Sequence, residues 1–336
     1  ANPGLSGLIT DVIGDGWIKD LSGLKKLLKF SDDSVLLEKL YNVKMANKVK
    51  LADFCKKEFG FSMNPEMMFD VQVKRIHEYK RQLLNVLHII ALYNRARNGE
   101  DVLPRTFIFS GKAAPGYEIA KLVIKLISNV SKVINGDKSI RGRIKVYFLP
   151  NYNVSLAEKI FPAAELSEQI STAGTEASGT GNMKFMLNGA LTMGTLDGAN
   201  IEMLEEAGEE NMFIFGMKTE EVETLRHNYN PGDYIREGEI GEVIRLLSSG
   251  YFNISEPDIF EPVIRNLLEY DYYMHLADFN SYIQEHKRAA VKYGEKEKWM
   301  KSSLINIANS GKFSSDRTIA EYAQDIWKIK ACNVKD

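Results

Sequence analysis

The sequence predicts an α/β fold: a Rossmann-like parallel sheet with helices on both faces, a helical N-terminal segment and a C-terminal helix. Three observations carry this. From Met67 onward, short runs rich in β-branched and aromatic residues alternate with helix-length stretches, and strands joined by crossover helices form parallel sheets. Before Met67, residues 1–65 show only helical spacing. The basic, glycine-bearing and polar segments fall where the strands end, which is where open α/β sheets bind ligands.

Taken in order, Leu5 to Ile13 and Leu21 to Leu28 carry apolar residues at spacings of three and four. Asp32-Asp33-Ser34 starts a longer helix to about Phe59, closed by Gly60. Met67–Val73 is the first strand, Tyr79–Asn98 a helix, Thr106–Ser110 a strand and Pro115–Ile134 a helix. Ile144–Leu149 is the next strand, followed by a short helix at Val154–Phe161 and a short strand at Glu168–Ser171. A lysine-bearing helix comes next, then strands at Ala190–Met193 and Met212–Gly216. Thr219–His227 and Glu239–Ser248 read as surface helices. Pro257–Leu276 and Phe279–Tyr293 read as aromatic-rich helices, their tyrosines being most simply core packing. Ser314-Ser-Asp-Arg317 caps a last helix, Thr318–Ile329.

The chain has 336 residues, 44% hydrophobic and 26% charged, with net charge −2, so it is long enough for a large core. That balance argues against a nucleic-acid binder, and no apolar run approaches membrane-spanning length. Two cysteines, Cys55 and Cys332, make no disulfide framework and fit a reducing compartment. The start, Ala1-Asn-Pro-Gly, has neither an initiator methionine nor a signal peptide, and a trimmed piece of a longer protein is expected.

Two stretches carry chemistry. In Glu176-Ala-Ser-Gly-Thr-Gly-Asn-Met-Lys184, a glycine-flanked threonine opens a helix. Such a turn exposes backbone N–H groups that cradle a phosphate. Ser178 and Thr180 add hydroxyls, and Lys184 sits one turn inside. A lysine amine beside an anion site can form a Schiff base with pyridoxal phosphate. A Gly-x-Gly alone also occurs in dinucleotide fingerprints, and a lone lysine at a helix start is most simply solvated. The second stretch, Val73-Lys-Arg-Ile-His-Glu-Tyr-Lys-Arg81, sets four cations against one glutamate: a local anion site, or more plainly a loop held by surface ion pairs. The five histidines are scattered, and neither a Ser-His-Asp arrangement nor a metal-ligand cluster is apparent.

The longer string Glu176-Ala-Ser-Gly-Thr-Gly-Asn-Met-Lys-Phe-Met-Leu-Asn-Gly189 resembles the cofactor-lysine signature of the α-glucan phosphorylases, the glycogen and starch phosphorylases. The resemblance runs from Asn2-Pro-Gly-Leu5 to Gly311-Lys-Phe-Ser-Ser-Asp-Arg317 and Trp327, and matches the C-terminal half of that two-domain, GT-B type enzyme. It implies a pyridoxal-phosphate-binding Rossmann-like domain at 1–316, with 1–65 as its lead-in, and a crossover helix and tail at 317–336. The N-terminal domain would be absent.

By the same resemblance, Lys184 carries pyridoxal 5'-phosphate as a Schiff base. Lys74 reaches the cofactor phosphate, Arg75 and Lys80 hold the substrate phosphate, and these three form the catalytic group. Thr180 and Gly181 cradle the cofactor phosphate, and Tyr152 lies beside the cofactor. Glu176, Ser178 and Gly179 contact sugar hydroxyls. Asn153 departs from animal-type members, which carry arginine there. Tyr117 matches an aromatic lining an inhibitor cleft, and His77 is structural. No metal is implied.

The implied activity transfers a terminal glucosyl unit from an α-1,4-glucan to inorganic phosphate, giving glucose 1-phosphate with retention, the cofactor phosphate serving as general acid and base. The implied enzyme is a cytoplasmic (in plants, also plastid) allosteric homodimer of glycogen metabolism. The chain alone is expected to hold the cofactor without turnover, because one open domain cannot exclude water. Two other classes stay open: a cofactor- or anion-binding module without turnover, and a nicotinamide-dependent oxidoreductase. Against the last, the Gly-x-Gly comes late and Lys184 stands at the final fingerprint position.

Overall fold

The computed structural model describes residues 1–236, 238–330 and 332. Six strands form one parallel sheet: β1 Met68–Val73, β2 Arg105–Ser110, β3 Ile144–Leu149, β4 Leu166–Gln169, β5 Leu191–Gly194 and β6 Phe213–Ile214. Their order is β3-β2-β1-β4-β5-β6. Every residue of β1, β2, β4 and β5 is buried, as in a sheet covered on both faces. The pleat divides the strand residues between two cores. Met68, Phe107, Phe109, Ile144 and Val146 face helices α3 (Gln82–Arg97) and α4 (Glu118–Gly136). Phe69, Val71, Val73, Ile108 and Leu149 face α2 (Ser34–Phe59) and α5 (Val154–Ala163).

The lead-in is helical as expected, with α1 at Pro3–Ile13, though Leu21–Phe30 winds as a 3-10 helix. The Asp33 carboxylate caps α2 by accepting the Val35 and Leu36 N–H groups at 2.9 and 3.1 Å, and Gly60 closes the helix in the left-handed region at φ +72°. Two lysines of α2 turn inward. Lys44 donates to the carbonyls of Pro162, Ala164 and Asn188, while Lys48 pairs with Glu165 at 2.8 Å. Burial pulls the Lys44 pKa down to about 7.

Several boundaries differ from expectation. The helix expected from Tyr79 begins at Gln82, after a 3-10 turn at Glu78–Lys80, because Arg81 at φ +53° is left-handed and ends any continuous helix there. β4 lies two residues earlier than expected. The single helix expected over Pro257–Leu276 is a 3-10 turn at Pro257–Phe260 and α10 (Glu261–Glu269). The chain breaks at Asp271 (φ +36°) and Met274 (φ +56°), where the Asp271 carboxylate takes the His275 and Leu276 N–H groups at 2.9 and 2.8 Å and so starts α11 (His275–Tyr293). α7 (Asn200–Ala207) and α12 (Lys296–Asn309) have no counterpart in the sequence expectations, whereas α8 (Thr219–Arg226) and α9 (Glu239–Ser248) do. α9 is no mere surface helix, since Ile240, Val243, Ile244 and Leu247 join the main core.

The last segment is capped by Ser314 as expected, and forms α13 (Ser315–Glu321) and a wider π-turn at Tyr322–Trp327. Its Ile319, Tyr322, Ile326, Trp327 and Ile329 side chains are exposed. Ala331 and residues 333–336 of the expected tail lie outside the described residues.

Candidate functional site

Strand order reverses between β1 and β4, so the loops leaving their carboxyl ends diverge and open a crevice. Lys74 follows β1 and Gln169 ends β4. Lys74 Nζ donates to Gln169 Oε1 at 2.6 Å, and Gln169 Nε2 in turn donates to Ser167 Oγ at 2.8 Å. Burial, with the Lys80 charge adding to it, pulls the Lys74 pKa down to about 8. Gly111, at the exit of β2, lets this backbone pass: a Cβ there would lie 2.1 Å from the Lys74 carbonyl oxygen.

Lys80 forms an ion pair with Glu176 and sits 4.5 Å from the centroid of the Tyr79 ring, whose hydroxyl donates to Glu176 at 3.4 Å. Burial disfavours the Lys80 charge, but the hydrogen bonds to Glu176 and Tyr79 outweigh it and hold the pKa above the ordinary value. Arg75 is exposed and has no ion-pair partner among the described residues. These three cations all keep some exposure, and the Lys80 charge acts on Lys74.

The fourth cation of that stretch does not. Arg81 is fully buried, donating to Asp278 at 2.7 Å and to the Ile170 and Ser171 carbonyls at 2.7 and 3.3 Å. It belongs to the framework, because its backbone geometry aims it under the β4 loop. His77 packs between the rings of Tyr79 and Tyr117, at 4.7 and 4.9 Å, and burial lowers its pKa. Tyr117 donates to Glu78 at 2.6 Å, and Asn266 donates to the other Glu78 oxygen at 2.7 Å.

Glu176, Ser178, Gly179 and Thr180 lie in the loop between β4 and α6 (Gly181–Leu187), which Gly181 opens. Gly179 is left-handed at φ +83°, where a Cβ would lie 3.3 Å from the Asn182 side chain, and a Cβ built on Gly181 would meet nothing within 4 Å. Thr180 precedes the helix without spending its hydroxyl on a cap. Behind the loop, Asn182 donates to the Ser178 carbonyl at 3.4 Å and to Asn200 at 3.2 Å. Lys184 is exposed and lines an open groove of about 510 Å³ with Tyr152, Asn153, Phe161 and Leu187. Its Nζ has no hydrogen-bond partner among the described residues. Burial raises the Tyr152 pKa.

Asn153 is spent on α5: its side chain accepts the Leu156 N–H at 3.0 Å and donates to the Asn151 carbonyl at 2.9 Å. The fold thus brings Lys74 near Lys80 and pairs Lys80 with Glu176, and it sets Tyr152 and Lys184 on one groove. Neither Lys74 nor Lys80 lines the Lys184 groove.

Sequence reasoning misses Gln169 and Asp197. It also misses a buried polar group beneath the sheet. Oxygen or nitrogen atoms of Asp70, Glu168 and His286 lie within 4.8 Å of one another, a spacing suited to a metal. A guanidinium already serves there: Arg105 Nη1 is 3.2 Å from Asp70 and 2.7 Å from His286 Nδ1. Burial first, then the Asp70 charge, pushes the Glu168 carboxyl well up.

A family model described as "Carbohydrate phosphorylase" matches residues 1–329. The chain is 52% identical over 333 residues to glycogen phosphorylase, muscle form, of Oryctolagus cuniculus, covering 98% of this chain and 40% of that protein. It is 53% identical over 330 residues to the brain form of Bos taurus, covering 97% of this chain and 39% of that protein. The chain therefore spans about 40% of the length of the curated relatives it matches.

Proposed function

The chain belongs to the carbohydrate phosphorylase family, and from that premise we propose that it is the cofactor-bearing, C-terminal domain of an α-1,4-glucan phosphorylase. The proposed reaction transfers a terminal glucosyl unit to inorganic phosphate with retention, giving glucose 1-phosphate. What supports this reading is the Gly179-Thr-Gly181 turn, followed one helical turn later by Lys184, whose amine has no hydrogen-bond partner among the described residues, and the pairing of Glu176, from the same loop, with Lys80. That the chain is the C-terminal part, with residues 317–336 crossing to an N-terminal domain, belongs to the same proposal. So do the cytoplasmic setting, the allosteric control and the homodimer of the whole enzyme.

The residues fit pyridoxal phosphate. Lys184 offers an amine without a hydrogen-bond partner among the described residues, in an apolar-walled groove beside the Tyr152 ring. The turn is open at Gly181, and Thr180 is exposed with its hydroxyl not spent on a cap, which suits a phosphate cradle. Lys184 would carry the cofactor, Thr180 and Gly181 would hold its phosphate, and Lys74 would balance the charge. When bound, the cofactor supplies a phosphate able to give and take a proton.

The protein's own groups do the rest. Arg75 grips substrate phosphate through its planar fork, and Lys80 adds a point charge. Glu176 is held where it can accept hydroxyl protons of a sugar, and the same carboxylate holds Lys80 until an anion arrives. Ser178 and the Gly179 backbone offer further polar contacts to that sugar. A nicotinamide-dependent oxidoreductase finds little support: its glycine fingerprint belongs in the turn after β1, where Lys74-Arg-Ile-His77 stands, and the Gly-Thr-Gly turn follows β4.

The test has two parts. Loading the chain with pyridoxal phosphate, reducing with borohydride and mapping peptides is expected to label Lys184; a label elsewhere, or none, refutes the cofactor assignment. The chain alone is expected to release no glucose 1-phosphate from glucan and phosphate, and to do so once the missing N-terminal half is supplied. Turnover by the chain alone would overturn the need for a closed cleft, and silence after complementation would overturn the phosphorolysis.

A further inference from the structure

We propose that Asp197 is a positioning residue that sets the loop Gly174–Ser178, and with it the Glu176 carboxylate, against Lys80; its catalytic consequence rests on the phosphorolysis proposed above. Asp197 lies between β5 and α7 and is 5% exposed. One carboxylate oxygen accepts the Gly174 N–H at 3.0 Å, and the other accepts the Glu176 N–H at 2.9 Å and the Ser171 hydroxyl at 2.6 Å. A single carboxylate therefore gathers both ends of the bend that carries Glu176. Hydrogen bonds to an ionised acceptor are about twice as strong as neutral ones.

Its two neighbours complete the template. The Ala199 N–H donates to the Ser178 carbonyl at 2.9 Å. Gly198, left-handed at φ +53°, lies so close that a Cβ would sit 2.7 Å from the Ser178 carbonyl oxygen and 2.9 Å from that of Glu176. The Ser171 carbonyl, which Arg81 also holds, accepts the Thr195 hydroxyl at 2.6 Å. Thus Asp197-Gly198-Ala199 supports residues 174–178 from behind, while Lys80 and Tyr79 hold the Glu176 carboxylate from the front. The Asp197 charge also favours the Lys74 proton across the same crevice.

Glu176 is fixed at two points, its amide by Asp197 and its carboxylate by Lys80. Losing the first leaves the second attached to a loop free to move. Asp197→Asn removes the charge and turns an amide N–H₂ toward one of the loop's own N–H donors. A residue that merely stabilises the fold would weaken every function equally. A positioning residue acts through Glu176 and leaves the cofactor in place.

In the complete enzyme containing this chain, Asp197→Asn is expected to lower kcat/KM for glucose 1-phosphate by roughly ten- to a hundredfold with cofactor absorbance retained. Glu176→Gln supplies the other arm of a double-mutant cycle. The double variant is expected within about threefold of Glu176→Gln alone, because both changes disable one contact. In this chain by itself, Asp197→Asn is expected to speed amide exchange at residues 174–178 about tenfold or more, while β1 amides keep their rate.

Additive kinetic losses overturn the inference, and so does unchanged exchange in the loop. Should Asp197→Asn not fold, Ser171→Ala removes one of the three bonds and carries the same cycle, with a loss of about three- to tenfold. A wild-type enzyme without turnover defeats the phosphorolysis and the catalytic consequence with it, while the exchange measurement still decides whether Asp197 sets the loop.

Discussion

Arg81→Met tests whether Arg81, unlike the exposed Arg75 of the same basic stretch after β1, belongs to the framework. The Arg81 and Asp278 side chains are 0% and 2% exposed and meet at 2.7 Å. Arg81 also holds the Ile170 and Ser171 carbonyls, on the strand exit that leads to Glu176. Methionine keeps most of the unbranched apolar stem and supplies none of these donors. Removing one partner of a buried pair costs about 3–5 kcal/mol, because the other charge stays buried without compensation. Asp278 keeps the Met217 N–H at 3.0 Å, which favours the lower half of that range. Against a total stability of about 5–15 kcal/mol, the variant is expected to fold.

With a urea slope of about 3 kcal/mol per molar, its unfolding midpoint is expected to fall by about 1–1.3 M. Asp278→Asn completes a double-mutant cycle, in which coupling of about 1–3 kcal/mol is expected for groups in direct contact. Exposed Arg75→Ala, in contrast, is expected to shift stability by less than about 0.5 kcal/mol. A loss below about 1 kcal/mol for Arg81→Met, or additive behaviour with Asp278→Asn, would refute the framework role.

In the complete enzyme, Arg75→Ala and Lys80→Ala are each expected to weaken phosphate use by roughly ten- to a hundredfold, with cofactor content unchanged, since a charge-assisted contact contributes about 1.5–3 kcal/mol; equal loss of cofactor, read from absorbance, would show that the wrong phosphate was assigned to them. Lys74 has its proton below about pH 8 and loses it above, so inorganic phosphate binding by the chain is expected to weaken as pH rises through that value. Calorimetric titration from pH 6.5 to 9.5 checks this, and Lys74→Met is expected to flatten the profile; a profile unchanged by the substitution assigns the titration elsewhere. Lys44→Met leaves the carbonyls of Pro162, Ala164 and Asn188 without their common donor and is expected to cost roughly 2–4 kcal/mol in urea unfolding, and a neutral result would mean that those carbonyls find other donors.

Much of the architecture is determined locally and was legible in the sequence. Ile144–Leu149 and Glu239–Ser248 lie where their spacing puts them, Gly60 and Ser314 bound their helices, and Lys184 follows the turn that its glycines announce. These features depend on neighbours within a few residues, so the sequence alone determines them.

α12 was hidden because its buried face carries Ser302, Ser303, Asn306 and Asn309, which disguise the apolar period. Those polar side chains are matched at long range: Ser303 donates to the Gly189 carbonyl at 2.7 Å, and Asn306 to that of Asn211 at 3.0 Å. The same holds at the site. Lys74, Arg75, Lys80 and Arg81 look alike in the chain, and only the left-handed backbone at Arg81 and the buried carboxylate of Asp278 turn one of the four inward. Gln169 and Asp197 find partners on the segments that follow neighbouring strands, Gln169 on the one after β1 and Asp197 on the one after β4. Local pattern decides which segments become strands and helices; which polar side chain finds a partner is decided by groups tens to nearly two hundred residues away, brought within 3 Å by the packed sheet.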